Sequence, residues 1–326
     1  MHGFLRRRLL QLLPVVLGIA LLNFLVLQLA PGDVVDVLAG EAGAATPESM
    51  AQLRAQFGLD QPVWTQLGHY LARLAHADLG FSYRQNMPVL DLILGRVPAT
   101  LLLMVMALAI ALVVGIGLGI ATALKPEGAF DHAVSVGVLV IYAMPSFWLG
   151  LMGLVLFAGQ LGWVPAGGMV TVGLEGPWWR HVLDVAWHAL LPAFTLAAFY
   201  LAVYTKLMRG AMREVLQADF IRAARAKGAS EWRVLFGHAL RNASLPVLTL
   251  LGFQVASVLS GAVLVESVFA WPGLGRLAFE AILARDFNLL LGILLLSSLM
   301  VTAINIVVDL ASAWLDPRVT LDGVSR

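Results

Sequence analysis

The residue types that usually carry covalent chemistry are present in this chain, but not in working patterns. His2, His69, His76, His132, His181, His188 and His238 are scattered, with no His-x-x-x-His or Glu-linked zinc spacing. The chain has no cysteine, which excludes a thiolate site, a redox pair and a disulfide. A Gly-x-x-x-x-Gly-Lys-Ser/Thr phosphate loop and a Gly-x-Ser-x-Gly elbow are absent too, which argues against P-loop nucleotide binding and serine hydrolysis. Three residue groups remain, and each suits recognition or passage rather than catalysis.

The first group runs from Asp219 through Phe220, Arg222, Ala223, Ala224, Arg225 and Ala226 to Gly228. It reads as a short helix: Asp219 caps or complements the positive end, the alanines favour helix, and Gly228 stops it. A second helix follows from Ser230 to Leu240, with Trp232 and Phe236 one turn apart on one face. Such a helix pair on a polar loop can dock into a groove of a soluble partner. Three plainer readings stay open on composition: topology enforcement, attraction to anionic lipid, or nucleic-acid binding, the last with least support. The second group is Tyr200, Tyr204, Gln254, Ser257 and Ser260, on two apolar stretches. These residues either line a polar passage or make ordinary interhelical hydrogen bonds. The third is Glu266, Trp271 and Arg276, which form either an interfacial turn with its charges in water or part of an outer gate or docking surface.

The elements that must position these groups are membrane helices. Hydrophobic residues make up 60% of the 326 positions and charged residues 13%, and the mean hydropathy is +0.86. A soluble domain cannot bury that much apolar surface, whereas lipid tails solvate it. Six spans are expected, at 9–30, 98–124, 133–159, 188–205, 245–265 and 287–311. Pro145 interrupts the third and predicts a kink. The Gly115, Gly117, Gly119 series lies inside the second, where small residues let helices approach closely.

The first span follows Arg6, Arg7 and Arg8, and its apolar stretch exceeds a cleavable signal core, so it is expected to remain as a helix with the N-terminus inside. That orientation places 14 of the 21 basic residues on the cytoplasmic side and 7 outside, with both termini inside. Eight of them fall in one cytoplasmic loop, 206–244, against Glu214, Asp219 and Glu231. The outer loop, 31–97, carries helix punctuation: Thr46 as a cap before Pro47, Gly58 as a stop and Pro62 as a second start. Short amphipathic helices on the outer membrane face are expected there. The expected organisation is thus a tail and first helix over 1–30, the outer loop 31–97, and a core over 98–326. No span has a central charge. Asp309 comes nearest, close to the inner end of the last span, so an ion-coupled carrier finds little support.

The run from Asp219 to Gly228, continued by His238-Ala239-Leu240-Arg241-Asn242-Ala243 and Pro246, resembles the cytoplasmic coupling signature of ABC-importer permeases in its dipeptide and oligopeptide branch. Arg222 stands where the wider superfamily has glutamate, a departure that this branch shares. Pro31-Gly32-Asp33, Phe57-Gly58-Leu59-Asp60-Gln61-Pro62, Asp78-Leu79-Gly80, the block from Ser260 to Arg276 and the ending Leu315-Asp316-Pro317-Arg318 are also similar to that branch. Ala77 departs from its usual glycine. The resemblance implies an all-α, type I importer permease fold that binds no cofactor itself. It further implies a second homologous permease subunit, two cytoplasmic ATPases using ATP and Mg, and an extracytoplasmic solute-binding protein at the bacterial inner membrane. Peptides are the implied cargo, with nickel or glutathione as alternatives carried by similar permeases.

Overall fold

The computed structural model describes residues 2–29, 35, 46–56 and 58–315. The Pro31-Gly32-Asp33 and Asp316-Pro317-Arg318 motifs, Phe57, and the side chains of Ser260 and Asp309 lie outside the described set. The described residues fall into two compact units, one made of those up to Gly95 together with Ala278–Ala303, the other of Arg96–Leu277 together with 304–315.

In the first unit, α1 (His2–Leu29) precedes two short helices, α2 (Pro47–Gln56) and α3 (Val63–Ala75). Their starts follow the expected punctuation. Thr46 Oγ1 accepts the Ser49 N–H at 3.2 Å, Gly58 turns at φ +67°, and Pro62 caps α3. A short hairpin of two-residue strands, β1 (Phe81–Ser82) with β2 (Met87–Pro88), leads into α4 (Val89–Leu124). Ser82 Oγ donates to Asp286, whose other oxygen accepts the Leu289 N–H. Inside the same unit Asn23 donates to the Leu291 carbonyl at 3.1 Å.

The second unit is built around α7 (Trp178–Leu216), with α5 (Ala129–Ala143), α6 (Ser146–Gly153) and α9 (Leu240–Val268) packed on it. Helices gain little hydrophobic energy from each other in lipid, so close packing has to hold them. Gly115 and Gly119 supply it. An added Cβ would sit 3.0 Å from the Leu201 carbonyl oxygen at Gly115, and 2.7 Å from Met208 Cβ at Gly119, while at Gly117 it meets nothing. Gly115 and Gly119, one turn apart on α4, therefore form a helix-packing stripe that Gly117 does not join.

Several expected boundaries change, with α4 already starting at Val89 and α9 at Leu240, and the third and fourth spans change most. The third span is not one kinked helix: α5 ends at Ala143, and the segment from Ser146 to Gln160 leaves at 107°. Met144 is extended (ψ 136°), as a residue before proline tends to be, and Pro145 has no N–H to continue the ladder. The last part, Leu154–Gln160, is π-helical. The fourth helix is also far longer than 188–205, and α7 runs on to Leu216 through what was expected to be loop. Hydropathy sees only its apolar middle and not the polar ends that extend it.

After α7 come α8 (Asp219–Ala226) and a π-helical turn, Arg233–Ala239, that feeds α9. α10 (Leu274–Leu283) and α11 (Phe287–Leu315) complete the described chain. Among the described residues, four helices are long and apolar enough to cross a membrane, or five if the bent pair counts as one span.

Candidate functional site

The residues from Asp219 to Gly228 fold as the sequence predicts. Ala218 is extended at the N-cap, α8 occupies 219–226, and Gly228 turns at φ +80° with its N–H on the Arg225 carbonyl at 2.9 Å. Ala229 N–H reaches back to the Ala224 carbonyl, closing the C-terminal cap. Asp219 makes no side-chain cap; it lies in the first turn, 3.5 Å from Arg222.

Ile221 is fully buried in the core of its unit and Ala224 packs beside it, one turn on. Phe220, Arg222, Ala223, Arg225 and Ala226 are exposed. The helix thus anchors through one face and offers the other to the surroundings, so Ala224 serves the anchor rather than the free face. Arg225 grips Glu231 through two hydrogen bonds, 2.9 and 3.0 Å, which tie α8 to the next helical segment. That bond holds the Glu231 carboxyl below its usual range. On that segment Trp232 and Phe236 stack with centroids 4.1 Å apart, both exposed.

Sequence reasoning missed the ion pair above this loop. Arg209, near the end of α7, donates from Nε and Nη2 to the two oxygens of Asp131 at 2.7 Å each. Asp131 is 2% exposed, accepts the Glu127 N–H as well, and has its carboxyl pushed down to about 2, chiefly by the Arg209 hydrogen bonds. Glu127 adopts φ +64° to make that bond. The available signal was Asp131 at the very start of an apolar run. Charge counting treated Arg209 only as a marker of side.

The passage candidates separate. Tyr200 and Tyr204 are buried on α7, Ser257 on α9 is exposed, and Gln254 lies between these extremes. Tyr204 Oη and Gln254 Oε1 are enclosed, and no hydrogen-bond partner reaches either among the described residues.

The outer group is the most tightly built. Glu266 is fully buried near the end of α9, so the reading with its charge in water does not hold. Thr100 Oγ1 donates to its Oε1 at 2.7 Å, and the Arg276 N–H to its Oε2 at 3.0 Å. Trp271 is also fully buried and donates from Nε1 to the Ala99 carbonyl at 2.9 Å. Arg276 Nη1 donates to the Ala270 carbonyl at 2.7 Å. A side chain at Gly273 would overlap the Glu266 carboxylate, and one at Gly275 would meet the Val263 backbone. Glu266 and Trp271 therefore fix the 269–276 turn from inside.

These features define a polytopic, predominantly helical membrane component with a short helix on a polar loop that is anchored on one face and exposed on the other. Comparison with known proteins gives the family. Residues 115–321 match the model of the binding-protein-dependent transport system inner membrane component, and 1–104 match its N-terminal companion. The chain is 40% identical to the dipeptide transport system permease protein DppB of Escherichia coli strain K12, covering 98% of this chain and 99% of that one. It is also 40% identical to a putative peptide transport system permease protein of Brucella abortus strain 2308, over 99% and 100% of the two chains. Among solved structures, the inward-facing MetNI methionine ABC transporter superposes with a TM-score of 0.55 at 16% identity, covering 70% of this chain and 97% of that one. The chain belongs to the binding-protein-dependent transport system inner membrane component family. It is a multi-pass inner membrane protein with the type I importer permease fold, and it works together with other subunits.

Proposed function

We propose that this chain is the membrane subunit of an ATP-driven importer that moves di- or oligopeptides handed over by an extracytoplasmic solute-binding protein. The observation that carries the reading is 40% identity, over essentially the full length of both chains, to permeases named for dipeptide and peptide transport. In this reading the chain has six spans with both termini in the cytoplasm. It pairs with a second homologous permease subunit and two ATPase subunits that bind ATP and Mg, while this chain binds no cofactor. Tyr200, Tyr204, Gln254 and Ser257 contribute to the path of the cargo, and the turn held by Glu266, Trp271 and Arg276 forms part of the outer gate or docking surface.

The exposed face of α8, with Phe220, Arg222, Ala223 and Ala226, sits in a groove of the ATPase, while Arg225 takes part in coupling by holding α8 to the next helical segment through Glu231. Closure of the ATPase dimer on ATP moves this short helix as a rigid body and reorients the spans. Its anchor through Ile221 supports that role, because force on α8 passes directly into the core.

The test is reconstitution of the full transporter in proteoliposomes with labelled dipeptide. Uptake is expected to require ATP and the binding protein, and Gly228→Trp is expected to insert normally yet hydrolyse ATP without uptake. Gly228 has a left-handed backbone that side chains rarely adopt, so the variant disturbs the end of α8 in particular. Normal uptake by Gly228→Trp would remove the coupling assignment. ATP-dependent uptake of nickel or glutathione with none of dipeptide would remove the peptide assignment. Because the chain has no cysteine, single introduced cysteines at the two ends of each helix report the topology directly.

A further inference from the structure

A basic pocket lies between α4, α5 and α7, and no role has been assigned to it so far. Its volume is about 430 Å³, and its lining includes Thr122, Ser135, Val138, Leu139, Lys206 and Arg209. Asp131 neutralises Arg209 and engages its Nε and Nη2. Lys206 is different. It is exposed, no carboxylate ion pair to it occurs among the described residues, and its Nζ lies 5.8 Å from the centre of the Tyr142 ring. The pocket therefore carries one net positive charge held beside apolar wall.

The position of this charge along α7 is informative. Trp187 is exposed on the same helix, with its Nε1 on the Trp163 carbonyl at 3.1 Å, and Trp163 is exposed as well. Exposed tryptophans of this kind settle at a membrane-water interface. From Trp187 to Lys206 the helix rises about 28 Å, close to the roughly 30 Å thickness of a hydrocarbon core. Lys206 therefore stands at the opposite interface, at headgroup depth. Beside it Tyr142 and Phe199 stack at 4.9 Å, and with Leu139 they form an exposed apolar strip leading from the charge toward the middle of the helices.

We infer that this pocket binds the phosphate of an anionic phospholipid, with Lys206 as the principal cation and the Leu139, Tyr142 and Phe199 strip carrying an acyl chain. A phosphate is the anion such a pocket meets at that depth, and basic pockets between helices are suited to lipid headgroups. The apolar strip selects a lipid-borne phosphate over a free one. Assignment to the cytoplasmic leaflet rests on the proposed orientation, while the binding chemistry does not.

Native mass spectrometry of the detergent-purified protein, titrated with phosphatidylglycerol, tests the inference. Lys206→Gln is expected to weaken binding about fivefold, the worth of one lysine near a lipid surface. Lys206→Arg is expected to retain binding, and Lys125→Gln to match wild type. Excess inorganic phosphate is expected not to displace the lipid. Equal binding by wild type and Lys206→Gln overturns the site, as does an equal loss in Lys125→Gln. Displacement by phosphate, or equally Lys206-dependent binding of phosphatidylethanolamine, overturns the anionic-lipid assignment. Retention in Lys206→Arg separates lost charge from lost fold. Binding in detergent has no leaflets, so a reversed topology in the cysteine labelling would leave this result standing.

Discussion

Thr100 and Glu266 lie 166 positions apart in sequence, and the Thr100 hydroxyl donates to Glu266 Oε1 at 2.7 Å. The same Thr100 oxygen accepts the Leu274 N–H at 2.7 Å, and Glu266 Oε2 accepts the Arg276 N–H. Two side chains from α4 and α9 thereby satisfy backbone groups of the turn that enters α10. Glycine is needed at 273 and 275 because the carboxylate and the Val263 backbone already fill the space.

Glu266→Ala is therefore expected to leave the Thr100 hydroxyl proton and the Arg276 N–H without their acceptor, at about 1–3 kcal/mol for each buried group. Thermal unfolding in detergent is expected to show a clear loss for Glu266→Ala. Gly273→Ala is expected to be at least as damaging, since its methyl displaces the carboxylate. An unchanged midpoint in both would mean that the turn does not depend on this carboxyl.

The glycine stripe gives a prediction with an internal control. At Gly119 an added Cβ would lie 2.8 Å from the Thr205 carbonyl oxygen, which is backbone and cannot move aside, whereas Gly117 has open space. Gly119→Val is expected to cost about 1–3 kcal/mol through overpacking, and Gly117→Val far less. The two unfolding midpoints, measured in the same detergent, decide it. Equal midpoints would show that α4 and α7 tolerate separation.

The sequence disclosed what depends on local chemistry and little of what depends on partners far along the chain. The α8 helix was legible because Asp219, the alanines and Gly228 carry its start, body and stop within ten positions. Thr46, Gly58 and Pro62 were legible for the same reason. Glu266 stood out as a charge at the end of an apolar run, but its burial depends on Thr100, which no local pattern marks. Asp131 and Arg209 were hidden in the same way, 78 positions apart. Pro145 announced an interruption, but proline alone does not set an angle, and 107° depends on packing against α7.

The Asp131 and Arg209 pair sets a pH dependence. The folded carboxyl titrates at about 2 instead of its ordinary 3.8. A carboxyl depressed by folding contributes stability that is fully present above its unfolded pKa and is lost as pH falls through the folded one. Asp131 is thus expected to stabilise equally from pH 5 to pH 8, and to lose its contribution between about 4 and 2. Asp131→Asn is expected to lower the unfolding midpoint by a constant amount across the neutral range, with the gap to wild type closing only below about pH 4. A gap that varies between pH 5 and 8 would assign the effect to another group.

The bond between Arg225 and Glu231 separates stability from coupling. Both side chains are substantially exposed, so the pair is worth only about 0.2–1 kcal/mol, and Arg225→Gln or Glu231→Gln is expected to leave the unfolding midpoint almost unchanged. Yet the pair sets how α8 is held against the Trp232 and Phe236 segment, and up to about 1 kcal/mol corresponds to roughly a fivefold change in the population of one geometry. ATP-driven uptake by the reconstituted transporter is therefore expected to fall up to about fivefold in either single variant. The exchange Arg225→Glu with Glu231→Arg keeps the pair and reverses its polarity, so it is expected to recover most of the uptake. If the exchange is no better than the singles, the exposed charge of Arg225 itself contacts the partner, and the pair does not act by orienting α8.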